Sequence, residues 1–250
     1  LVSPGTELAG VQRLRNNPDA ARSEKLFGYQ NAGVVLEVGE NCHEVFSAGQ
    51  RVACMGSGRA QHATHALVPR NLAFPLPDSL SFEEAAFHHL AATSLQAVRR
   101  AQLQIGEYTA VMGLGIVGLL AVQLSRLSGS FVCAMDFLPM RRDLAHGVGV
   151  DVIDPATTDT VQALKTFTDQ EGLDAAVMAF GGDGSEAFRT LLQAMKRAPD
   201  RHQMGRIVVV GGCRIDTVFA AAAGNVDVRS SARTGPGYHD PDWENGKDYP

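Results

Sequence analysis

A glycine-rich run, Val111-Met-Gly-Leu-Gly-Ile-Val-Gly118, constrains the fold of this 250-residue chain more than any other feature. It overlaps the end of a strand-like segment, 107–112, and leads into a helix-like segment with an apolar period. Glycines at this spacing between a strand and a helix are typical of a loop that binds a dinucleotide. Gly113 permits the tight turn, Gly115 lets a pyrophosphate approach the backbone, and Gly118 lets the helix pack close to the strand. An ordinary glycine-rich turn is the competing interpretation.

An acidic residue, Asp136, stands where such a loop needs a partner for the adenosine ribose. It lies eighteen residues after Gly118 and directly follows a second strand-like segment, 130–135. A carboxylate at this place accepts both ribose hydroxyls and repels a 2′-phosphate. The N–H groups at the start of the helix, which begins with Ile116 and Val117, would meet the phosphates. The sequence therefore predicts a dinucleotide cofactor, with NAD preferred to NADP.

The composition favours a small-molecule partner. The net charge is −5 and the lysines and arginines are scattered, so no basic stripe is present for nucleic acid. The apolar stretch 110–122 is interrupted by Gln123 and Arg126, well short of the roughly 18 to 20 residues of a membrane span. We therefore expect a buried strand and helix there, and neither a nucleic acid nor a membrane as partner.

The cysteines predict a reducing compartment. No Cys-x-x-Cys pair occurs among the four, which are Cys42, Cys54, Cys133 and Cys213. This spacing argues against a disulfide framework and against a cysteine-rich zinc lobe, and it favours the cytoplasm. Because the chain begins at Leu1 without a methionine, we expect it to be a fragment, or the ordered part, of a longer protein.

The first part of the chain, to about residue 74, alternates short apolar segments with glycines. Strands are expected at 33–39, 49–54 and 65–68, a pattern that favours a small β-barrel. Ser81 and Glu84 form a capping-box motif at the start of a helix expected over about 82–101.

From residue 107 the pattern changes to alternating strands and helices with almost continuously apolar strands, which predicts a doubly wound parallel sheet. Gly181 and Gly211 follow two of these strands, at the sheet edge where such folds bind ligands, and are candidate cofactor contacts. The strands are expected at 107–112, 130–135, 151–154, 173–179 and 205–210, and the helices at about 116–127, 139–147, 158–169 and 185–197. The expected domains are a barrel with its linking helix at 1–98, a dinucleotide-binding domain at 99–232, and the truncated start of a return to the barrel at 233–250.

The order of these motifs resembles the medium-chain dehydrogenase/reductase superfamily, which includes the zinc-type alcohol dehydrogenases. Besides the glycine loop, the resemblance rests on Pro4-Gly-Thr-Glu7, Gly28-Tyr-Gln-Asn-Ala-Gly33, Gly49-Gln-Arg-Val52 and Gly149-Val-Asp151. It implies an α/β fold in which a chaperonin-10-like β-barrel domain accompanies a Rossmann doubly wound sheet. It also implies a nicotinamide cofactor in the cleft between the domains, a small-molecule substrate, and a homodimer or homotetramer.

The same resemblance assigns roles to single residues. Arg141 matches a basic position on the adenosine side of the cofactor. Thr93 matches a threonine near the nicotinamide, with packing of a helix as its alternative. Thr6 matches a hydroxyl residue that relays the substrate proton, with stabilisation of a turn as its alternative.

The zinc ligands of the alcohol dehydrogenases are missing from this pattern. The corresponding places hold Pro4 (or Ser3), Tyr29 and about His89, and one imidazole does not hold a catalytic zinc, which needs three protein ligands. We therefore expect no metal. Tyr29 is then the first candidate to donate a hydrogen bond to the reacting oxygen, and His89 is a further catalytic candidate. Packing roles for both residues remain the alternatives.

The sequence thus predicts a zinc-independent, NAD(H)-dependent oxidoreductase that interconverts an alcohol, polyol-like or sugar-like, and a carbonyl compound. Two alternatives remain open. One is an NADPH-dependent quinone or enoyl reductase of the same superfamily. The other is a cofactor-binding protein without turnover.

Overall fold

The computed structural model of the chain describes residues 1–17, 27–219 and 223–235. Apart from its first three residues, the expected return segment 233–250 lies outside the described residues. The described chain forms two compact units, Leu1–Leu90 and Ala91–Gly235. The division falls earlier in the connecting helix than the boundary expected between residues 98 and 99.

The first unit is built on a three-stranded antiparallel sheet. Its strands are β1 (Gln30–Val34), β2 (Arg51–Met55) and β3 (Ala73–Pro75), in the order β1-β2-β3. Its helices are α1 (Pro4–Asn16), α2 (Phe82–Ala85) and the start of α3 (His88–Ala101). The sheet packs on a small apolar cluster that includes Phe46, Val52 and Ala60. These strands are the part of the expected barrel that the described residues contain.

The local structure of this unit differs from the prediction in several places. The strand expected at 33–39 is β1, which ends at Val34, so residues 35–39 lie outside the strand. The expected strand at 65–68 is irregular: Leu67 is 86% exposed, and Val68 is the residue of this segment that packs against the apolar cluster. The chain instead makes a 3₁₀ turn at Arg70–Leu72 and then β3. The segment from Pro4 is the first turn of α1 rather than an isolated turn, because a proline at the first helical position is already set for helical geometry.

The expected helix over 82–101 is two helices. The predicted capping box at Ser81 is present, since its hydroxyl accepts from the Glu84 N–H and the Glu84 carboxylate accepts from the Ser81 N–H. At the break between the two helices, His88 Nδ1 donates to the Ala85 carbonyl at 3.1 Å. A continuous helix would give that carbonyl to the N–H of residue 89.

The second unit contains the predicted doubly wound sheet. Its strands are β4 (Tyr108–Met112), β5 (Phe131–Met135), β6 (Asp151–Ile153), β7 (Ala175–Met178), β8 (Gly182–Asp183), β9 (Met204–Val210), β10 (Cys213–Arg214) and β11 (Asn225–Ser231). Its helices, besides the rest of α3, are α4 (Ile116–Leu127), α5 (Pro139–Gly147), α6 (Thr160–Phe167) and α7 (Ser185–Ala194). Six parallel strands follow the order β11-β9-β7-β4-β5-β6, and β8 pairs separately with β10.

Both faces of the six-stranded sheet are buried. Successive residues of a strand point to opposite sides, so β4 contributes to two apolar clusters. Ala110 and Met112 of β4 pack in one cluster with Phe188 of α7 and Leu164 of α6. Val111 packs in the other cluster with residues of α3, α4 and α5. The strand order reverses between β4 and β7, and such a point opens a ligand crevice at the carboxyl ends of the strands.

None of the helices in the described residues combines the length and the apolar character needed to cross a membrane.

Candidate functional site

The loop between β4 and α4 is held closely against neighbouring backbone. Gly113 has φ +92°, in the left-handed region that favours glycine, and its N–H donates to the Met135 carbonyl at 2.8 Å. A Cβ on Gly118 would stand 1.8 Å from the Gly113 carbonyl oxygen. The sequence assigned a tight turn and a close helix contact to these two glycines, and the geometry agrees.

Backbone N–H groups at the start of α4 are not used by hydrogen bonds within the helix. The helix begins at Ile116, and Gly115 before it supplies no side-chain cap. The Leu119 N–H donates to the Gly115 carbonyl at 2.9 Å, so the N–H groups of Ile116 and Val117 precede the first intrahelical bond. A Cβ on Gly115 would meet no atom within 4 Å. This open space in front of a helix N-terminus fits a pyrophosphate.

Asp136 lies at the carboxyl end of β5 beside this loop and is only 7% exposed. Its Oδ2 accepts from the Leu114 N–H at 2.7 Å and its Oδ1 accepts from the Leu138 N–H at 2.9 Å. Arg141 Nη1 donates to Oδ2 at 3.2 Å. A carboxylate offers about four acceptor positions, so a ribose hydroxyl finds one position open, and a second one when Arg141 moves away.

The neighbouring Arg142 makes more bonds than Arg141. Its Nη1 donates to the carbonyl oxygens of Asp136 at 2.9 Å and Phe137 at 2.8 Å, and its Nη2 lies 2.8 Å from Asp154 Oδ2. The sequence reasoning did not single out Asp154. Its place at the end of β6 was the available signal, since neighbouring parallel strands end at the same edge of a sheet.

The remaining predicted cofactor residues lie in two places in the second unit. Gly181 and Gly211 follow β7 and β9 at the carboxyl edge of the sheet, and the two loops are joined by a bond from the Gly182 N–H to the Gly212 carbonyl at 3.0 Å. Thr93 lies half-buried in α3.

Tyr29 and His89 lie together in the first unit. Their rings meet edge to face at 5.1 Å between centroids. The Tyr29 carbonyl receives the Gly56 N–H at 2.8 Å and His89 Nδ1 at 3.1 Å. Because a carbonyl only accepts, Nδ1 carries the proton. The Tyr29 hydroxyl makes no hydrogen bond to any residue in the described part of the chain, so it remains an available donor.

The fully buried Gln30 and the half-buried His88 adjoin this pair. Gln30, which the sequence reasoning did not select, is fully buried. Its Oε1 accepts from the Leu90 N–H at 3.3 Å, while its Nε2 has no hydrogen-bond partner among the described residues. Its position next to Tyr29 in the Gly-Tyr-Gln motif was the signal. Burial, with a contribution from the neighbouring His89, lowers the pKa of His88 to about 4, so its imidazole is neutral at neutral pH.

The structure does not bring Thr6 into this group. Thr6 is exposed on α1, and within the described residues it has no hydrogen bond to Tyr29 or His89. Pro4, at a place where a metal ligand would be expected, offers no ligand atom. The described residues contain no group of three or more His, Cys, Asp or Glu side chains that could hold a metal ion.

Comparison with known proteins places this geometry in context. The family profile described as zinc-binding dehydrogenase matches residues 117–245. The (R,R)-butanediol dehydrogenase of Bacillus subtilis is 29% identical over 178 residues, which cover 62% of this chain and 51% of the relative. The sorbitol dehydrogenase of Bacillus subtilis is 27% identical over 215 residues, which cover 74% of this chain and 58% of the relative. The chain thus spans about half the length of the curated relatives it matches.

Among solved structures, galactitol-1-phosphate dehydrogenase from Escherichia coli matches with a TM-score of 0.75 at 19% identity, covering 95% of this chain and 77% of that one. At this identity the match shows the fold. The resemblance to the medium-chain dehydrogenases and the α/β fold predicted from the sequence are confirmed.

Proposed function

We propose, on the premise that the chain belongs to the zinc-binding dehydrogenase family, that it binds NAD(H) and interconverts an alcohol and a carbonyl compound without a zinc ion. One observation carries the cofactor part of this proposal. The Asp136 carboxylate is fixed by the Leu114 N–H of the glycine loop, next to a helix N-terminus whose approach is open at Gly115.

The residues of the second unit divide the recognition of the cofactor between them. The N–H groups of Ile116 and Val117 would bind the pyrophosphate, and Asp136 would accept the adenosine ribose hydroxyls. Arg141 would lie on the adenosine side. Gly181 and Gly211 would border the cofactor at the ends of the neighbouring strands. When bound, the nicotinamide would supply the hydride acceptor or donor.

The proposed substrates follow from the relatives. Butanediol dehydrogenase and sorbitol dehydrogenase are named for small alcohols with more than one hydroxyl group. We therefore propose a polyol or sugar-like alcohol and the corresponding carbonyl compound as the substrate pair of this chain.

The zinc-free part of the proposal rests on the residues at the expected ligand positions. Pro4 and Tyr29 are not zinc ligands of the kind a catalytic site uses, and His89 alone supplies one of the three protein ligands that such a site needs. The three residues therefore do not fit a catalytic zinc. In its place the available Tyr29 hydroxyl would donate a hydrogen bond to the substrate oxygen. His89 would support Tyr29 through the edge-to-face contact of their rings, whereas Thr6, the other residue predicted to move the proton, is exposed and lies outside this pair.

The test measures binding and turnover separately. Calorimetric titration should show tighter binding of NAD than of NADP, and NAD-linked oxidation of a panel of polyols should survive exhaustive chelation. Tyr29→Phe should lower kcat by at least about tenfold while leaving NAD affinity unchanged, as expected for a donor that acts on the reacting oxygen.

Each alternative predicts a different result. One equivalent of tightly bound zinc per chain, or loss of activity on chelation, would refute the zinc-free proposal. Preference for NADPH with quinones would identify a quinone reductase. Cofactor binding without turnover of any alcohol or carbonyl compound would identify a binding protein. Sedimentation of the same preparation tests the proposed homodimer or homotetramer.

A further inference from the structure

Arg142 makes unusually many bonds for an arginine on the cofactor edge of the sheet. One nitrogen donates to two successive carbonyls, Asp136 and Phe137, and the other nitrogen pairs with Asp154. Asp154 is itself fixed, since its Oδ1 accepts from the Ala156 N–H at 3.0 Å. The Arg142 side chain, which projects from α5, thereby links the turn after β5 to the turn after β6.

The adjacent Arg141 differs in both burial and bonding. The Arg142 and Asp154 side chains are 17% and 23% exposed, whereas that of Arg141 is 39% exposed. Arg141 contacts Asp136 through a single nitrogen at 3.2 Å. Of the two arginines, Arg141 can therefore turn toward a ligand at little cost, whereas Arg142 would have to give up three hydrogen-bond partners.

We propose that Arg142 and Asp154 form a clamp that positions the Asp136 carboxylate for ribose and keeps the Arg142 charge away from a 2′-phosphate. The inference rests on the proposed function, because it assumes that Asp136 meets the adenosine ribose. Arg142 is a positioning residue, and Asp154 acts through it.

The two members of the clamp have separable effects. Arg142 fixes the backbone carbonyls of Asp136 and Phe137. The direction of the Asp136 side chain therefore depends on Arg142. Asp154 neutralises the guanidinium at 2.8 Å. Without that carboxylate, an uncompensated positive charge stands near the ribose position, where it attracts a phosphate.

The experiment titrates NAD, NADP and ADP-ribose into the complete chain and into four variants by calorimetry, with thermal unfolding followed by circular dichroism. The variants are Arg142→Leu, Arg142→Lys, Asp154→Asn and Arg126→Leu. Arg126 is the matched control, because it also donates to a backbone carbonyl of this unit, that of Val148, but has no bond to the turn after β5.

Arg142→Leu should weaken NAD and ADP-ribose binding about tenfold and change NADP binding less than about threefold, since the carboxylate that selects ribose loses its support. Arg142→Lys should recover part of that loss. Asp154→Asn should instead tighten NADP binding about fivefold. Arg126→Leu should leave the ratio of the NAD and NADP affinities unchanged.

Equal weakening of NAD and NADP in Arg142→Leu, or an unchanged ratio in both clamp variants, would overturn the clamp and leave a purely structural ion pair. If Arg142→Leu does not fold, the Asp154→Asn ratio decides in the same way. Failure of the unmodified chain to bind either dinucleotide would instead refute the proposed function, so the two failures are distinguishable.

Discussion

The Gly118→Ala substitution tests the closest backbone contact in the candidate cofactor site. The added Cβ would stand 1.8 Å from the Gly113 carbonyl oxygen, whereas ordinary contacts begin at 3.4 Å. The atom in the way belongs to the backbone and not to a flexible side chain, and the Gly113 N–H is held by the Met135 carbonyl. Helix α4 or the loop must move by more than an ångström. Overpacking of this kind costs about 3 kcal/mol of unfolding free energy.

The assay is thermal unfolding, where a loss of about 3 kcal/mol corresponds to a fall of about 10 °C in Tm for a chain of this size. Gly147→Ala is the matched control, because Gly147 also lies in a helix and a Cβ there would meet no atom within 4 Å. That variant should raise the unfolding free energy by about 0.5 kcal/mol. Similar Tm values for the two variants would refute the proposed contact between α4 and the loop.

Three further predictions concern the cofactor site and the half-buried His88. Gly115→Ala should leave Tm within about 3 °C of the original value but weaken dinucleotide binding at least about tenfold, because the added Cβ fills only the open space at the start of α4. An unchanged dinucleotide affinity in calorimetry would contradict this prediction. Asp136→Ser should narrow the preference for NAD over NADP, and an unchanged ratio of their dissociation constants would count against the ribose contact. The pKa of His88 is about 4 in the folded chain and 6.5 as its ordinary value, so the unfolded chain binds a proton first as pH falls. The unfolding free energy should therefore decrease by about 3 kcal/mol between about pH 6.5 and pH 4, relative to that of the His88→Phe variant. Chemical denaturation at a series of pH values measures this free energy for both proteins. If their unfolding free energies change with pH in parallel, this reasoning is wrong.

Strands β8, β10 and β11 of the second unit were not predicted. The strands and helices expected between residues 107 and 210 are present, with ends within three residues of the prediction. Their strands are nearly continuous apolar runs, and glycines mark the turns, so local patterns and tertiary packing favour the same structure. The predicted strand at 65–68 failed because short alternating segments pair according to their neighbours. There β3 occupies the place beside β2, and residues 65–67 stay exposed.

The candidate site shows the same division. The glycine loop and Asp136 were visible in the sequence because their spacing along the chain fixes their chemistry. The sequence could also name Tyr29 and His89 as candidates through a resemblance, but not the hydrogen bond that joins them across sixty residues.

The sequence by itself determined that this chain forms a doubly wound sheet with a dinucleotide loop, since glycine spacing, apolar strands and a following acid are local features. Only the tertiary structure decided which of two adjacent arginines is held by three partners and which by a single bond to Asp136. Arg141 and Arg142 are chemically identical and neighbours in the chain. They differ because β6 lies beside β5 and brings Asp154 to Arg142, and pairing between strands depends on folded geometry that no local pattern encodes.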